Sequence, residues 1–142
     1  MNPYLILDAG PIVAALNPKD PFHEWASQQL IEASQSFLSC EAVLTEAAFL
    51  LRKSHSGIEA LLKFAEESPI YFPFSYSQKR FEIHRLIRSY ADVPMSPADA
   101  CLVQLSELYP DAPILTLDSD FLIYRRNKRE PLPLMLPKAR IY

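Results

Sequence analysis

Glycine is nearly missing from this chain, two residues in 142 against thirteen prolines. Boundaries between elements must therefore be read from proline and from helix-capping side chains. Cysteine is as scarce. Cys40 and Cys101 stand far apart without CxxC spacing, and His23, His55 and His84 are scattered, so a zinc site lacks its ligand pattern. Both cysteines read as small buried residues of a reducing compartment. Long apolar runs are absent too: IVAAL and AAFLL fall far short of the roughly 18 residues that span a bilayer, which excludes a transmembrane helix. The start, MNPYLILDAG, has no basic segment, long apolar stretch or small-residue cleavage site, so a signal peptide is not expected and the cytoplasm is the default. Excess positive charge is the last absence. A net charge of −3 argues against coating nucleic acid by bulk charge. It leaves nucleases open, because carboxylates gathered around a bound cation reverse the local field.

What is present is a composition 49% hydrophobic and 22% charged, sufficient for one folded domain over residues 1–142. YLIL at 4–7 reads as a buried strand, and Pro11 fits the first turn of a helix carrying IVAAL. Asp20-Pro21 opens a second helix, to about Ala33. A short strand is expected at 37–39, helices over 41–53 and near 57–67, and a strand at 70–74 weakened by Pro73. Residues 77–91 read as helix, Ser96-Pro97 begins another to about Leu108, and ILTL at 114–117 is a buried strand. A short helix from near Asp118 to Tyr124 follows, and PLPLML from 132 suits an edge strand, since its prolines cannot donate ladder bonds. Apolar strands separated by helices indicate an α/β protein, a three-layer α/β/α sandwich with a mostly parallel central sheet.

Two of those strands end alike: YLILD at Asp8 and ILTLD at Asp118. In an open parallel sheet the carboxyl ends of the strands line the ligand crevice, which forms where strand order reverses, so neighbouring strands there would aim both acids into one space. Taken singly, Asp8 also reads as a turn acid and Asp118 as a helix cap. Asp120, two residues on, is an accessory ligand or a first-turn helix acid. Asp99, in SPADA, is the third residue of a helix capped by Ser96, and serves equally as capping-box partner or as ligand. Glu46 lies at the border of its helix's apolar stripe, where an ordinary surface glutamate is the alternative. Four carboxylates brought together would repel by about 1 kcal/mol per pair in water and roughly 4 at an effective dielectric of 20, so they require a cation. Hard oxygen donors without Cys or His select Mg²⁺ or Mn²⁺, and the matching chemistry is phosphodiester hydrolysis.

The ordered set LDAGPIVAAL, CEAVLTEAAFLL, PMSPADACLV and ILTLDSDFLIYRR resembles the PIN-domain family, and within it the VapC-type toxins of toxin-antitoxin pairs, over nearly the whole chain. The resemblance implies a sheet of about five parallel strands, an Mg²⁺- or Mn²⁺-dependent endoribonuclease, homodimers, and inhibition by a small antitoxin. It makes Asp8, Glu46, Asp99 and Asp118 the catalytic and metal-binding quartet, with Asp120 accessory. Gly10 departs from the Ser, Thr or Asn that many members carry two residues after the first acid, although a Gly-Pro version also occurs.

From Phe121 to Tyr142 six Lys or Arg face one acid. Arg125, Arg126, Lys128 and Arg129 are therefore candidate RNA contacts, with a solvated tail as the plain alternative. Arg80, His84 and Arg88, beside Lys79 and Arg85, form a second stripe that reads as a solvated helix face. Two other functions compete. An aspartate-based phosphatase or phosphoacceptor would also place an acid after its first strand, but DAGPI is not DxDxT, and a receiver's paired acids and late lysine are missing. A PIN fold kept as a non-catalytic RNA or protein binding module would not need all four acids. The same acids suggest a mode of inhibition: a guanidinium from a partner could displace the metal by bidentate hydrogen bonds while an apolar helix covers surface near Phe49.

Overall fold

A computed structural model describes residues 3–138. In chain order it contains β1 (Tyr4–Leu7), α1 (Ala9–Leu16), α2 (His23–Glu32), β2 (Ser36–Leu38), α3 (Glu41–Leu51), α4 (Gly57–Glu67), β3 (Ile70–Tyr71), α5 (Tyr76–Ser89), α6 (Pro97–Leu108) and β4 (Ile114–Leu115). A 3-10 turn (Ser119–Leu122), β5 (Arg125–Arg126), β6 (Glu130–Pro131) and β7 (Leu134–Met135) complete it. Five strands form one sheet in the order β3-β2-β1-β4-β7, and every pairing in it is parallel. The six helices flank this sheet as an α/β/α sandwich.

The sheet is built outward from β1 to β2 and β3, and the chain then returns to the other side of β1 with β4 and β7. The reversal lies between β1 and β4, the two strands that lead into Asp8 and Asp118. β1 can occupy the centre because Leu5, Ile6 and Leu7 are all apolar and essentially sealed from water. Burial of each contributes about 1.5–3 kcal/mol. Around them pack Ile12 of α1, Val43, Ala47 and Leu51 of α3, and Leu102, Val103 and Leu105 of α6.

Helix starts follow capping chemistry. Ser75 and Gln78 make reciprocal bonds at the start of α5, and Ser96 and Asp99 do the same for α6, with Pro97 as its first residue. Several elements are shorter than their sequence suggests. The strand expected at 70–74 stops at Tyr71, short of Pro73, and the one at 114–117 stops at Leu115. The expected helix from Asp118 is only a 3-10 turn. PLPLML does give the edge strand β7, whose Pro133 carbonyl accepts from the Ile114 amide at 2.8 Å.

The antiparallel β5–β6 hairpin has no counterpart in the sequence reading. Its turn is made by Asn127 (φ 49°) and Lys128 (φ 71°), both left-handed without glycine. The signal that normally marks such a turn, Asn-Gly or Asp-Gly, is missing.

Candidate functional site

β1 ends by delivering Asp8 to the first turn of α1, where one carboxylate oxygen accepts from the Ala9 amide at 2.8 Å. The other accepts from the Thr116 hydroxyl at 2.6 Å. Thr116 continues β4 by one residue, and its hydroxyl oxygen also accepts from the Asp118 amide at 3.0 Å. One buried hydroxyl therefore ties the ends of the two central strands together and orients both acids. Thr116 was not anticipated, although a lone hydroxyl inside the apolar run ILTL was a readable signal.

Asp99 enters from α6. Its Oδ2 accepts from the Ser96 amide at 3.1 Å and from the Tyr124 hydroxyl at 3.5 Å. The cap and cleft-lining readings of Asp99 therefore both hold in one side chain, because Oδ1 keeps no hydrogen bond among the described residues. Glu46 enters from α3, exposed along its stem. Asp118 caps the 3-10 turn through the Asp120 amide at 2.9 Å.

Asp8, Glu46, Asp99 and Asp118 line one open cleft of about 520 Å³, together with Gly10, Val13, Asn17, Asp20, Leu50, Leu117 and Ser119. No lysine or arginine is among these lining residues. Asp120 does not line the cleft but lies near enough to disfavour ionisation of Asp99 and Tyr124. Asn17 and Asp20 stand in the cleft without having been singled out by sequence. A β-carbon on Gly10 would meet Leu117 Cβ at 3.3 Å, so glycine lets α1 lie closer to the strand end than serine would.

The electrostatics record the crowding. Burial, and then the charges of Asp99 and Glu46, push the Asp8 carboxyl up to about 7 against the pull of its two hydrogen bonds. Glu46 is raised by burial of its carboxyl and then by Asp99 and Asp118. Asp99 is raised chiefly by burial, with its Ser96 bonds opposing and Asp118 and Asp120 adding to the rise. Burial and the same acids raise the Tyr124 phenol.

The donor set suits a hard cation: several oxygens, no sulfur or imidazole, and no basic side chain in the cleft to neutralise them. As the side chains stand, no three acids among the described residues converge tightly enough to hold an ion.

The four basic candidates fare differently. Arg126 points inward. Its guanidinium donates to the Ser106 carbonyl at 3.1 Å, the Ser106 hydroxyl at 3.0 Å and the Pro110 carbonyl at 2.7 Å, and pairs with Glu130 at 3.3 Å. So placed, it fastens the hairpin to the end of α6. Arg125 donates to the carbonyls of Leu122, Ile123 and Tyr124, closing the 3-10 turn. Lys128 and Arg129 are exposed. None of the four lines the acidic cleft.

The profile of the PIN-domain family matches residues 5–127. The chain belongs to the PIN-domain family. No curated protein sequence matches it. Among solved structures, this PIN domain is similar to VapC20 of Mycobacterium tuberculosis, described as a sarcin-ricin loop cleaving toxin, with a TM-score of 0.76 at 16% identity over 89% of this chain and 99% of that one. It is also similar to VapBC2 of Rickettsia felis, solved bound to a DNA fragment from its promoter, with a TM-score of 0.63 at 14% identity over 95% of this chain and 99% of that one. Its fold neighbours are thus VapC-type toxins. Among the described residues no helix of this PIN domain is long and apolar enough to cross a membrane.

Proposed function

We propose that the protein is an Mg²⁺- or Mn²⁺-dependent endoribonuclease, the toxin of a VapC-type pair, acting in the cytoplasm as a single nuclease domain. The observation that carries this reading is the convergence of four carboxylates from four separate elements on one cleft without a basic side chain. Asp8, Glu46, Asp99 and Asp118 would hold the ion, with Asp120 behind them. Bound there, it would supply a water of lowered pKa and counter-charge for the phosphate. Thr116 holds Asp8 in one orientation, and Val13, Leu50 and Leu117 supply the apolar part of the cleft wall. With its carboxyl at about 7, Asp8 retains a proton near neutrality. That proton must leave when a cation is bound, so affinity for the ion rises with pH.

RNA is the substrate in this reading, the working form is a homodimer, and a cognate antitoxin is the inhibitor. The descriptions of the fold neighbours, a sarcin-ricin loop cleaving toxin and VapBC2, support the cleavage activity and the antitoxin. The antitoxin places an arginine among the four acids and an apolar helix over the adjacent α3 surface, where Phe49 is 60% and Leu50 51% exposed. The test is cleavage of defined RNAs while Mg²⁺ or Mn²⁺ is titrated, with Asp99→Asn alongside. Cleavage by the native protein and none by the variant is expected; equal cleavage by both sinks the site assignment. Changing the antitoxin's arginine to alanine should restore cleavage in the complex.

A further inference from the structure

An open groove of about 660 Å³ lies away from the four acids, between α5, the end of α6 and the β5–β6 hairpin. Its charge is opposite to theirs. Arg85 from α5, Arg125 from β5 and Lys128 from the hairpin turn line it. The acid in its wall, Glu107, is held by the Asn127 amide at 2.7 Å. We propose that this groove binds a phosphodiester and an adjoining nucleotide of single-stranded RNA, as a contact separate from the acidic cleft. The identity of the ligand rests on the ribonuclease reading; the groove itself does not.

Three observations carry the assignment. First, three cations face one acid that already has its own partner, so the groove presents net positive charge to a phosphate. The wall behind it is continuous with the core: Tyr90 lines the groove and packs edge-on against the buried Tyr124 with centroids 5.1 Å apart. Second, the wall is fixed. The Tyr90 hydroxyl accepts from the Arg125 amide at 2.8 Å, so its ring is held beside Leu86 as an apolar face on which a ribose or base can lie, while cations track the backbone. Third, Lys128 is exposed at the hairpin turn, where its ammonium reaches solvent and its backbone is left-handed at φ 71°. Arg85, read from sequence as part of a solvated face, joins this group only through the fold.

The experiment is fluorescence anisotropy of a labelled single-stranded oligoribonucleotide with the full chain in excess chelator, so that binding is read without cleavage, at several salt concentrations. Arg85→Ala and Lys128→Gly should each weaken binding several-fold and flatten the salt slope by about 1, and together by about 2. Lys128→Gly should melt no lower than the native protein, since glycine relieves the left-handed strain, so lost affinity cannot be ascribed to lost fold. Lys63→Ala, on α4 outside the groove, should change neither quantity. If native protein cleaves RNA with Mg²⁺ or Mn²⁺ while Arg85→Ala and Lys128→Gly leave affinity and slope intact, the groove assignment is wrong and the nuclease reading stands. If the native protein cleaves nothing but both variants lose affinity, the nuclease reading fails and the groove stands. Equal competition by an oligo-aspartate of matching charge would also overturn the assignment, because it would mark a surface for acidic protein.

Discussion

The acidic cleft and the basic hairpin carry opposite charge and are built in opposite ways. Asp8 and Asp118 are placed by topology: they follow the central strands β1 and β4 at the point where strand order reverses, and the Thr116 hydroxyl locks them together. The arginines of the hairpin are placed by their own bonds to carbonyls: Arg125 closes the 3-10 turn it follows, and Arg126 reaches back to the last turn of α6. Crowding in the cleft leaves Asp8, Glu46 and Asp99 with raised pKa values. Cations set by turns satisfy carbonyls, and only some retain reach into solvent. A cluster of like charge is thus a functional signal when the fold forces it together, and a structural one when each member has its own partner.

The sharpest break of this contrast is at the acids. Asp8→Asn should remove metal-dependent RNA cleavage while leaving far-ultraviolet circular dichroism unchanged. Retained turnover would mean that the crowding has no chemical purpose. Next in size is the pH dependence of stability without metal. The folded Asp8 carboxyl lies at about 7 against an ordinary 3.8, so the folded state binds the extra proton. Its stabilising effect is full below about 3.8 and is lost as pH rises through 7. The loss is on the order of 4 kcal/mol, and Glu46 and Asp99 add to it in the same direction. Melting in chelator should therefore be lower at pH 8 than at pH 5, and Asp8→Asn should flatten the difference. A protein that melts higher at pH 8 would contradict the crowding.

Thr116→Val should cost about 1–3 kcal/mol by urea unfolding, because a near-isosteric side chain leaves a buried carboxylate oxygen without its donor. No change would mean that water replaces the hydroxyl. The smallest effects separate neighbouring arginines. Arg126→Ala should cost about 1–2 kcal/mol in stability with RNA affinity untouched, whereas Arg129→Ala, exposed and bonded only through its backbone amide, should stay within about 0.5 kcal/mol. Equal effects would erase the distinction between inward and outward cations.

The acids were legible because strand-then-aspartate is a pattern with a topological consequence: once YLILD and ILTLD are adjacent parallel strands, their acids share a crevice. Glu46 and Asp99 needed the family resemblance, since a border glutamate and a capping-box aspartate each have sufficient local explanations. The hairpin was invisible because Asn127-Lys128 turns without glycine, and nothing in YRRNKRE tells which arginine the fold will turn inward. Strand ends were overextended for a related reason. Apolar character continues past Leu115 and Tyr71, while pairing stops where partners and Pro73 allow.

Asp99 closes α6 at its start and walls the cleft with the same carboxylate. Abundance and activity should therefore respond differently to a full set of replacements at this position. Residues that can still accept the Ser96 amide, such as asparagine, keep the helix start and yield normal amounts of inert protein. Alanine forfeits the cap as well, at about 0.5–2 kcal/mol. A survey that scored only protein levels would rank position 99 as a helix boundary and overlook the cleft, whereas one that scored only metal-dependent cleavage would overlook the helix boundary.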